Sequence, residues 1–210
     1  MTELRKLFDK YGTDRGSKHR YDEIYEKYWS QKKDEPINLL EIGVWKGPGM
    51  EATLDYFPNG NVYGVDIFTR IRPEEVKAFQ HPRAHWLKAD SMDHSITSLL
   101  RKKFDVQYDY IVDDGAHYPL ANMLTFKHTI EFLKPGGSYF IEDVWPLEIM
   151  TRAELEHPWV KRHADKYSHL RNHDFLETIE NSGLKIERHD HRKKTGQPDS
   201  YMIVLTKENG

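Results

Sequence analysis

Two short stretches of the chain hold residue types that do chemistry. In one, Tyr110-Ile111-Val112 runs into Asp113, Asp114, Gly115, Ala116 and His117; in the other, Tyr139-Phe140-Ile141 ends in Glu142-Asp143. Each is an apolar run, as a buried strand would be, ending in adjacent carboxylates. Asp114, Glu142 and Asp143 are hard oxygen donors, a set that suits Mg²⁺. His117, three residues past Asp114, can project over the same place and accept a proton, or can itself ligate the metal, which would favour a softer ion. Asp113 or Asp114 can also cap a following helix, and Asp113 is assigned that structural part.

Carboxylates serve in this way only if the strands that carry them lie side by side. From Ile37 onward strands alternate with helices: strand Ile37 to Ile42, helix 48–56, strand Val62 to Asp66, a helix opened by Pro73, and strand His85-Trp86-Leu87. Then come a helix over Ile96, Leu99 and Leu100 capped by Ser91 or Asp93, strand 109–112, helix 118–134 stopped by Pro135-Gly136-Gly137, and strand 138–142. This order predicts a mainly parallel sheet with helices on both faces. Two helices precede it, 2–10 capped by Thr2 and one striped by Tyr21, Ile24, Tyr25 and Tyr28, joined by a glycine-rich loop. A helix over 173–182 and strands at 184–186 and 201–206 follow. The expected organisation is one domain: a helical cap over 1–36, a core over 37–143, a lid or insertion over 144–170, and a closing helix and strands over 171–210.

Composition narrows the function. The chain has 210 residues, 31% of them charged, a net charge of −3 and no cysteine, with a mean hydropathy of −0.80. Thiolate nucleophiles, disulfides and cysteine-based zinc sites are excluded. A mildly acidic chain without a long basic run is not expected to take nucleic acid as its partner. No apolar stretch is long enough for a membrane span, so a cytoplasmic location is expected.

In open α/β sheets ligands sit beyond the carboxyl ends of the strands. The first strand ends Glu41-Ile42-Gly43-Val44-Trp45-Lys46-Gly47. Gly43 permits a tight turn with positive φ, and Gly47 lets backbone approach a ligand. Trp45 stands where a dinucleotide fingerprint needs glycine, which argues against an NAD-dependent dehydrogenase. Glu41 suits a ligand with a positive amino group, Asp66 the hydroxyls of a ribose, and Asp90-Ser91 the amino group of an adenine. Together these residues resemble the class I S-adenosylmethionine-dependent methyltransferases. The resemblance implies a Rossmann-like fold with a mainly parallel seven-stranded sheet, and a cofactor site of Thr13, Glu41, Gly43, Gly47, Asp66, Asp90, Ser91 and Asp114.

The segments DDGAH and IEDV, with YGTDRGSKHRY near the N-terminus, are similar to metal-dependent sugar O-methyltransferases. Those include the mycinamicin-type macrolide enzymes and the methylmannose polysaccharide 1-O-methyltransferase. The likeness implies Mg²⁺ at Asp114, Glu142 and Asp143, His117 as general base, and a sugar or glycoside acceptor, a mannoside among the candidates. It also implies that loop 11–21 covers the site, with Thr13 its foremost contributor and Tyr11, His19 and Tyr21 behind. A homodimer is expected. Catechol-type methyltransferases share the arrangement but use asparagine and lysine where this chain has Asp143 and His117. The chain is expected to do without the long N-terminal domain of the macrolide enzymes. The other readings are methylation of a catechol-like diol, or a cofactor-binding module without catalysis. Glu26, off the tyrosine stripe, is an outlying candidate, and the histidines and tryptophans of 145–173 could stack on sugar rings.

Overall fold

The computed structural model describes residues 1–156, 158, 161 and 172–209. Its strands form one seven-stranded sheet in the order β3-β2-β1-β4-β5-β7-β6. They are β1 Asn38–Ile42, β2 Asn61–Asp66, β3 Ala84–Lys88, β4 Tyr108–Asp113, β5 Leu133–Ile141, β6 Lys185–Asp190 and β7 Tyr201–Thr206. Strands β1 to β5 pair in parallel, and β7 runs antiparallel between β5 and β6. The alternation of strand and helix predicted the parallel core.

Along each strand, successive side chains enter opposite layers. Leu39, Val62, Tyr110, Val112 and Phe140 face one layer with α1 (Glu3–Tyr11), α2 (Asp22–Trp29) and α3 (Pro48–Tyr56). Leu40, Ile42, Val65, Ile111, Tyr139 and Ile141 face the other, with α4 (Ser95–Lys103), α5 (Pro119–Thr129) and α7 (Asn172–Glu180). Parallel strands covered on both faces read as unbroken apolar runs for this reason.

The chain leaves β1 toward β2 and β3 and then returns to place β4 on β1's other side. Such a reversal opens a crevice beyond the carboxyl ends of the two strands. Register brings the important ends together: Ile42 pairs with Asp113, and Asp113 with Ile141. Asp114 N–H donates to Ile42 O (2.9 Å) and Glu142 N–H to Asp113 O (3.0 Å), so both acidic segments begin at the same level of the sheet.

Helix α1 starts as Thr2 predicted, its Oγ1 accepting Arg5 N–H at 3.0 Å. It ends at Gly12, whose φ of 74° turns the chain into the 12–20 loop. Trp29, at the end of α2, is buried among Tyr25, Phe57, Tyr110 and Phe140 at ring separations of 4.2, 5.4, 6.1 and 6.2 Å. It is the wedge that fixes the N-terminal helices to the sheet.

Several expected boundaries differ. Pro73 opens only a 3-10 turn, Pro73–Glu75. Helix α5 stops at Thr129, and Pro135-Gly136-Gly137 lie inside β5, where the register shifts between its pairings to Tyr108 and Tyr110. That irregularity accommodates a proline within a paired strand. Neither Asp113 nor Asp114 caps α5, whose N-cap is Tyr118; Asp113 instead accepts from Gly115 N–H (3.3 Å) and Asn122 Nδ2 (3.0 Å), bracing the turn. Ser91 does not cap α4; Asp93 Oδ1 accepts Ser95 N–H at 2.8 Å. Arg192-Lys193-Lys194 form a short helix, α8 (Arg192–Thr195), with Arg192 paired to Asp190 and Glu154. Within the expected insertion, Thr151 caps α6 (Arg152–Leu155), and Trp145 is buried with Met150, so it is no open platform for a sugar. His157, Trp159, His163 and His169 lie outside the described residues.

Replacing Trp29 with alanine empties the junction of both N-terminal helices with the sheet. The expected loss is about 3–5 kcal/mol of unfolding free energy, read from urea denaturation.

Candidate active site

Beyond the carboxyl ends of β1, β2, β3 and β4 lies a cavity of about 890 Å³. Its wall includes Thr13, Glu41, Gly43, Asp66, Asp90, Ser91, Asp114, His117 and Asp143. Topology thus brings most of the sequence-predicted residues to one hollow. Two differ. Gly47 is not on the wall: a Cβ there would meet Val76 Cγ1 at 2.6 Å, so its glycine answers to packing and to a φ of 86°. Gly49 takes the close approach instead, since a Cβ on it would fall 2.1 Å from Arg15 Nη1.

At the β1 end, Gly43 has a φ of 88°, and a Cβ would lie 2.0 Å from the carbonyl oxygen of Asp114. The two loops pass each other with room for hydrogen only. Glu41 is buried, and its Oε2 has no hydrogen-bond partner. Burial pushes its carboxyl up, against the pull of Arg15. A buried acceptor left open on the cavity wall is the feature an incoming ammonium would complete. Asp66 lies at the β2 end, with Trp45 N–H donating to Oδ2 (2.9 Å) and Phe68 N–H to Oδ1 (2.7 Å). These bonds fix the carboxylate and leave lone pairs for a diol. Asp90 is exposed and accepts Met92 N–H at 2.9 Å, while Ser91 Oγ turns to Thr125 Oγ1 at 2.8 Å.

At the β4–β5 end, Asp114, His117 and Asp143 each bring a ligand atom within 4.8 Å of the others. His117 Nε2 is 3.6 Å from Asp114 Oδ1. Asp143 is steadied by Tyr21, whose hydroxyl donates to Oδ1 at 2.8 Å. Oxygen-rich and half-buried, the group fits a hard divalent cation. Glu142 lies deeper. Arg15 Nε donates to both its oxygens (2.8 and 3.1 Å), and the Tyr25 hydroxyl donates to Oε1.

Arg15 is the residue the sequence reading missed. Its guanidinium is 1% exposed and meets Glu142, Asp114 (Nη2 to Oδ2, 2.9 Å) and Glu41 (Nη1 to Oε1, 3.4 Å). Burial and neighbouring carboxylates push the Glu142 and Asp114 carboxyls up, and Arg15 opposes both shifts. The available signal was an arginine between the two glycines of a loop expected to cover the site. Of that loop's other candidates, Thr13 lines the cavity, Tyr11 pairs with Asp55 elsewhere, and His19 is buried against Ser200 (2.7 Å). Glu26 sits beside Tyr56, away from the cavity, with Oε2 shielded rather than solvated.

Six non-glycine residues among those described have positive φ, and four of them, Trp45, Phe68, His117 and Asp143, line this cavity. Backbone strain of this kind gathers where side chains must be aimed.

The solved structures sharing this fold include the MycE methyltransferase from the mycinamycin biosynthetic pathway in complex with Mg and SAH. It matches with a TM-score of 0.72 and 20% identity, over 99% of this chain and 55% of that one. The chain carries the class I methyltransferase fold. The same methyltransferase fold is found in the fibrillarin pre-rRNA processing protein of Methanococcus jannaschii, at a TM-score of 0.58 and 20% identity over 85% of this chain and 70% of that one. Among curated proteins, the sequence is 31% identical over 156 residues to 8-demethyl-8-alpha-L-rhamnosyl tetracenomycin-C 2'-O-methyltransferase of Streptomyces olivaceus. It is 26% identical over 151 residues to mycinamicin VI 2''-O-methyltransferase of Micromonospora griseorubida. Both matches take in 68% of this chain but only 39% and 36% of those relatives. No protein-family model matches the sequence. No helix among the described residues is long and apolar enough to cross a membrane.

Gly43→Ala places a methyl group into backbone. The strained φ alone costs roughly 1–2 kcal/mol, and the overlap with Asp114 adds to it. The expected outcome is a lowered midpoint in urea denaturation.

Proposed function

We propose that this chain transfers a methyl group from S-adenosylmethionine to a hydroxyl of a sugar or glycoside, assisted by Mg²⁺. The observation that carries the reading is the two-ended cavity. One end offers the open Oε2 of buried Glu41, the other the carboxylates of Asp114 and Asp143 beside His117. Its sequence relatives are named as O-methyltransferases of glycosylated natural products, and MycE is described with Mg and SAH. Both support the proposal.

Each residue has a part. Glu41 holds the cofactor's amino group, Asp66 its ribose hydroxyls, and Asp90 and Ser91 its adenine edge. Gly43 lets the β1 turn pass close beneath, and Thr13 closes the wall from the N-terminal loop. Asp114 and Asp143, with Glu142 as a third carboxylate, hold Mg²⁺, which when bound acidifies and orients an acceptor hydroxyl. Imidazole is a poor ligand for so hard an ion, so His117 serves as the general base that takes the hydroxyl proton as the methyl group is transferred. The positive φ of His117 turns the imidazole over the carboxylates. Within the cavity, holding acceptor and donor in line would by positioning alone lower the barrier by several kcal/mol.

Calorimetry is expected to show S-adenosylhomocysteine binding, and chelation with EDTA to abolish methyl transfer until Mg²⁺ is restored; a protein that binds no cofactor sinks the proposal. His117→Ala is expected to lower turnover roughly 10²–10⁴-fold while cofactor affinity changes less than about twofold. An acceptor panel of deoxysugar glycosides, mannosides and catechols is expected to yield methylated glycoside by mass spectrometry, and methylation confined to catechols would replace the acceptor class.

A further inference from the structure

Glu142 poses a conflict. The proposed metal site claims it as a carboxylate ligand, yet both its oxygens are taken by Arg15 and Oε1 also by Tyr25. Asp114 is shared likewise, with Oδ2 accepting from Arg15 Nη2 at 2.9 Å. The third guanidinium nitrogen is 3.4 Å from Glu41, the residue that would receive the cofactor's amino group. One buried cation therefore occupies carboxylates at both ends of the cavity.

We propose that Arg15 is a displaceable internal cation that makes divalent metal and S-adenosylmethionine bind cooperatively. The inference rests on the function proposed above.

The physical argument is one of charge and space. Three carboxyls, Glu41, Asp114 and Glu142, share the one guanidinium of Arg15. A divalent ion that engages Asp114 and Glu142 takes from Arg15 its shortest contacts, leaving the 3.4 Å pair with Glu41 as the loosest of the three. The guanidinium lines a cavity large enough to receive it when it rotates. Backbone does not hold it there, because Arg15 is anchored by its carbonyl, which accepts Tyr21 N–H at 2.8 Å, and by a longer bond from its N–H to Thr13 Oγ1. Evicting the guanidinium costs its ion pairs once. An ammonium on the open Oε2 of Glu41 competes for the charge that helps hold the guanidinium, and a metal ion takes its other two partners, so each ligand lowers the cost of displacing Arg15 for the other. Coupling of this sort is reciprocal by thermodynamic necessity. If Arg15 stayed in place, the added positive charges would repel one another and the two ligands would oppose each other's binding. The sign of the coupling thus distinguishes the two cases.

The experiment titrates S-adenosylhomocysteine by calorimetry with and without MgCl₂, and Mn²⁺ by electron paramagnetic resonance with and without S-adenosylhomocysteine. Wild type, Arg15→Gln and Arg15→Lys are compared. In the wild type each ligand is expected to tighten the other about fivefold or more, the lower end of ordinary coupling. In Arg15→Gln, Mn²⁺ alone is expected to bind more tightly than in the wild type, and the coupling to fall to about one. Arg15→Lys, which keeps the charge but not the fork, falls between and serves if the glutamine variant does not fold. Coupling of one or less in the wild type, or unchanged coupling in the variants, overturns the inference. A wild type that binds no S-adenosylhomocysteine at all removes the proposed function instead. The Mn²⁺ titrations still judge Arg15 in that event, because unchanged or weaker metal binding in Arg15→Gln overturns its displacement.

Discussion

A carboxylate moved from water into a protein interior loses hydration worth several kcal/mol, and close neighbours of like charge raise that cost. Glu41 and Glu142 are buried, Asp114 is half-buried, and all three stand within reach of one guanidinium. Without Arg15 this end of the sheet would have to take up protons or splay apart. With it, three acids from three strand ends are held at fixed spacing before any ligand arrives. The planar fork matters here, since its five donors can address three partners at once where an ammonium would be a single point of charge.

The same constraint explains why the N-terminal helices are part of the site and not an ornament on the sheet. Arg15 comes from the loop after α1, and α2 follows it with Tyr21 donating to Asp143 and Tyr25 to Glu142. Trp29 fixes that helix against β4 and β5. Each tyrosine has its ring in the core and its hydroxyl on a carboxylate, so packing and chemistry share the same side chains. The strained φ values at His117 and Asp143 are tolerable because this framework holds both sides of the cavity.

Much of this was legible in the residues. Apolar runs ending in Glu41, Asp66, Asp113-Asp114 and Glu142-Asp143 announced parallel strands with a site beyond their ends, because buried strands are apolar throughout and polar residues can begin only where the sheet stops. What escaped is equally physical. Tyr25 fits the apolar stripe of α2, and nothing in helical spacing says where a hydroxyl at the edge of a core will point. Arg15 looked like one more charge in a polar loop; its burial depends on strands more than a hundred residues away (127 to Glu142). Gly47 seemed to serve a ligand because glycine spacing does not distinguish a cofactor from a valine side chain packed behind the loop. The β5 start was misplaced because a proline and two glycines ordinarily end a paired segment, and only the register shift beside Tyr108 makes room for them.

The bonds of Arg15 and Tyr25 to Glu142 also order the events of synthesis. A chain leaving the ribosome makes residues 1–30 well before their partners Glu142 and Asp143. The segment carries an arginine and a tyrosine hydroxyl whose partner Glu142 is made only with the end of the fifth strand, and Tyr21 waits longer still for the carbonyl of Asp199. Closure is then a late, long-range event, of the kind that slows folding because loop entropy must be overcome before the contacts repay it. The acids, the cation that separates them and the tyrosines that aim them come together only once residues as distant as Asp199 have been made.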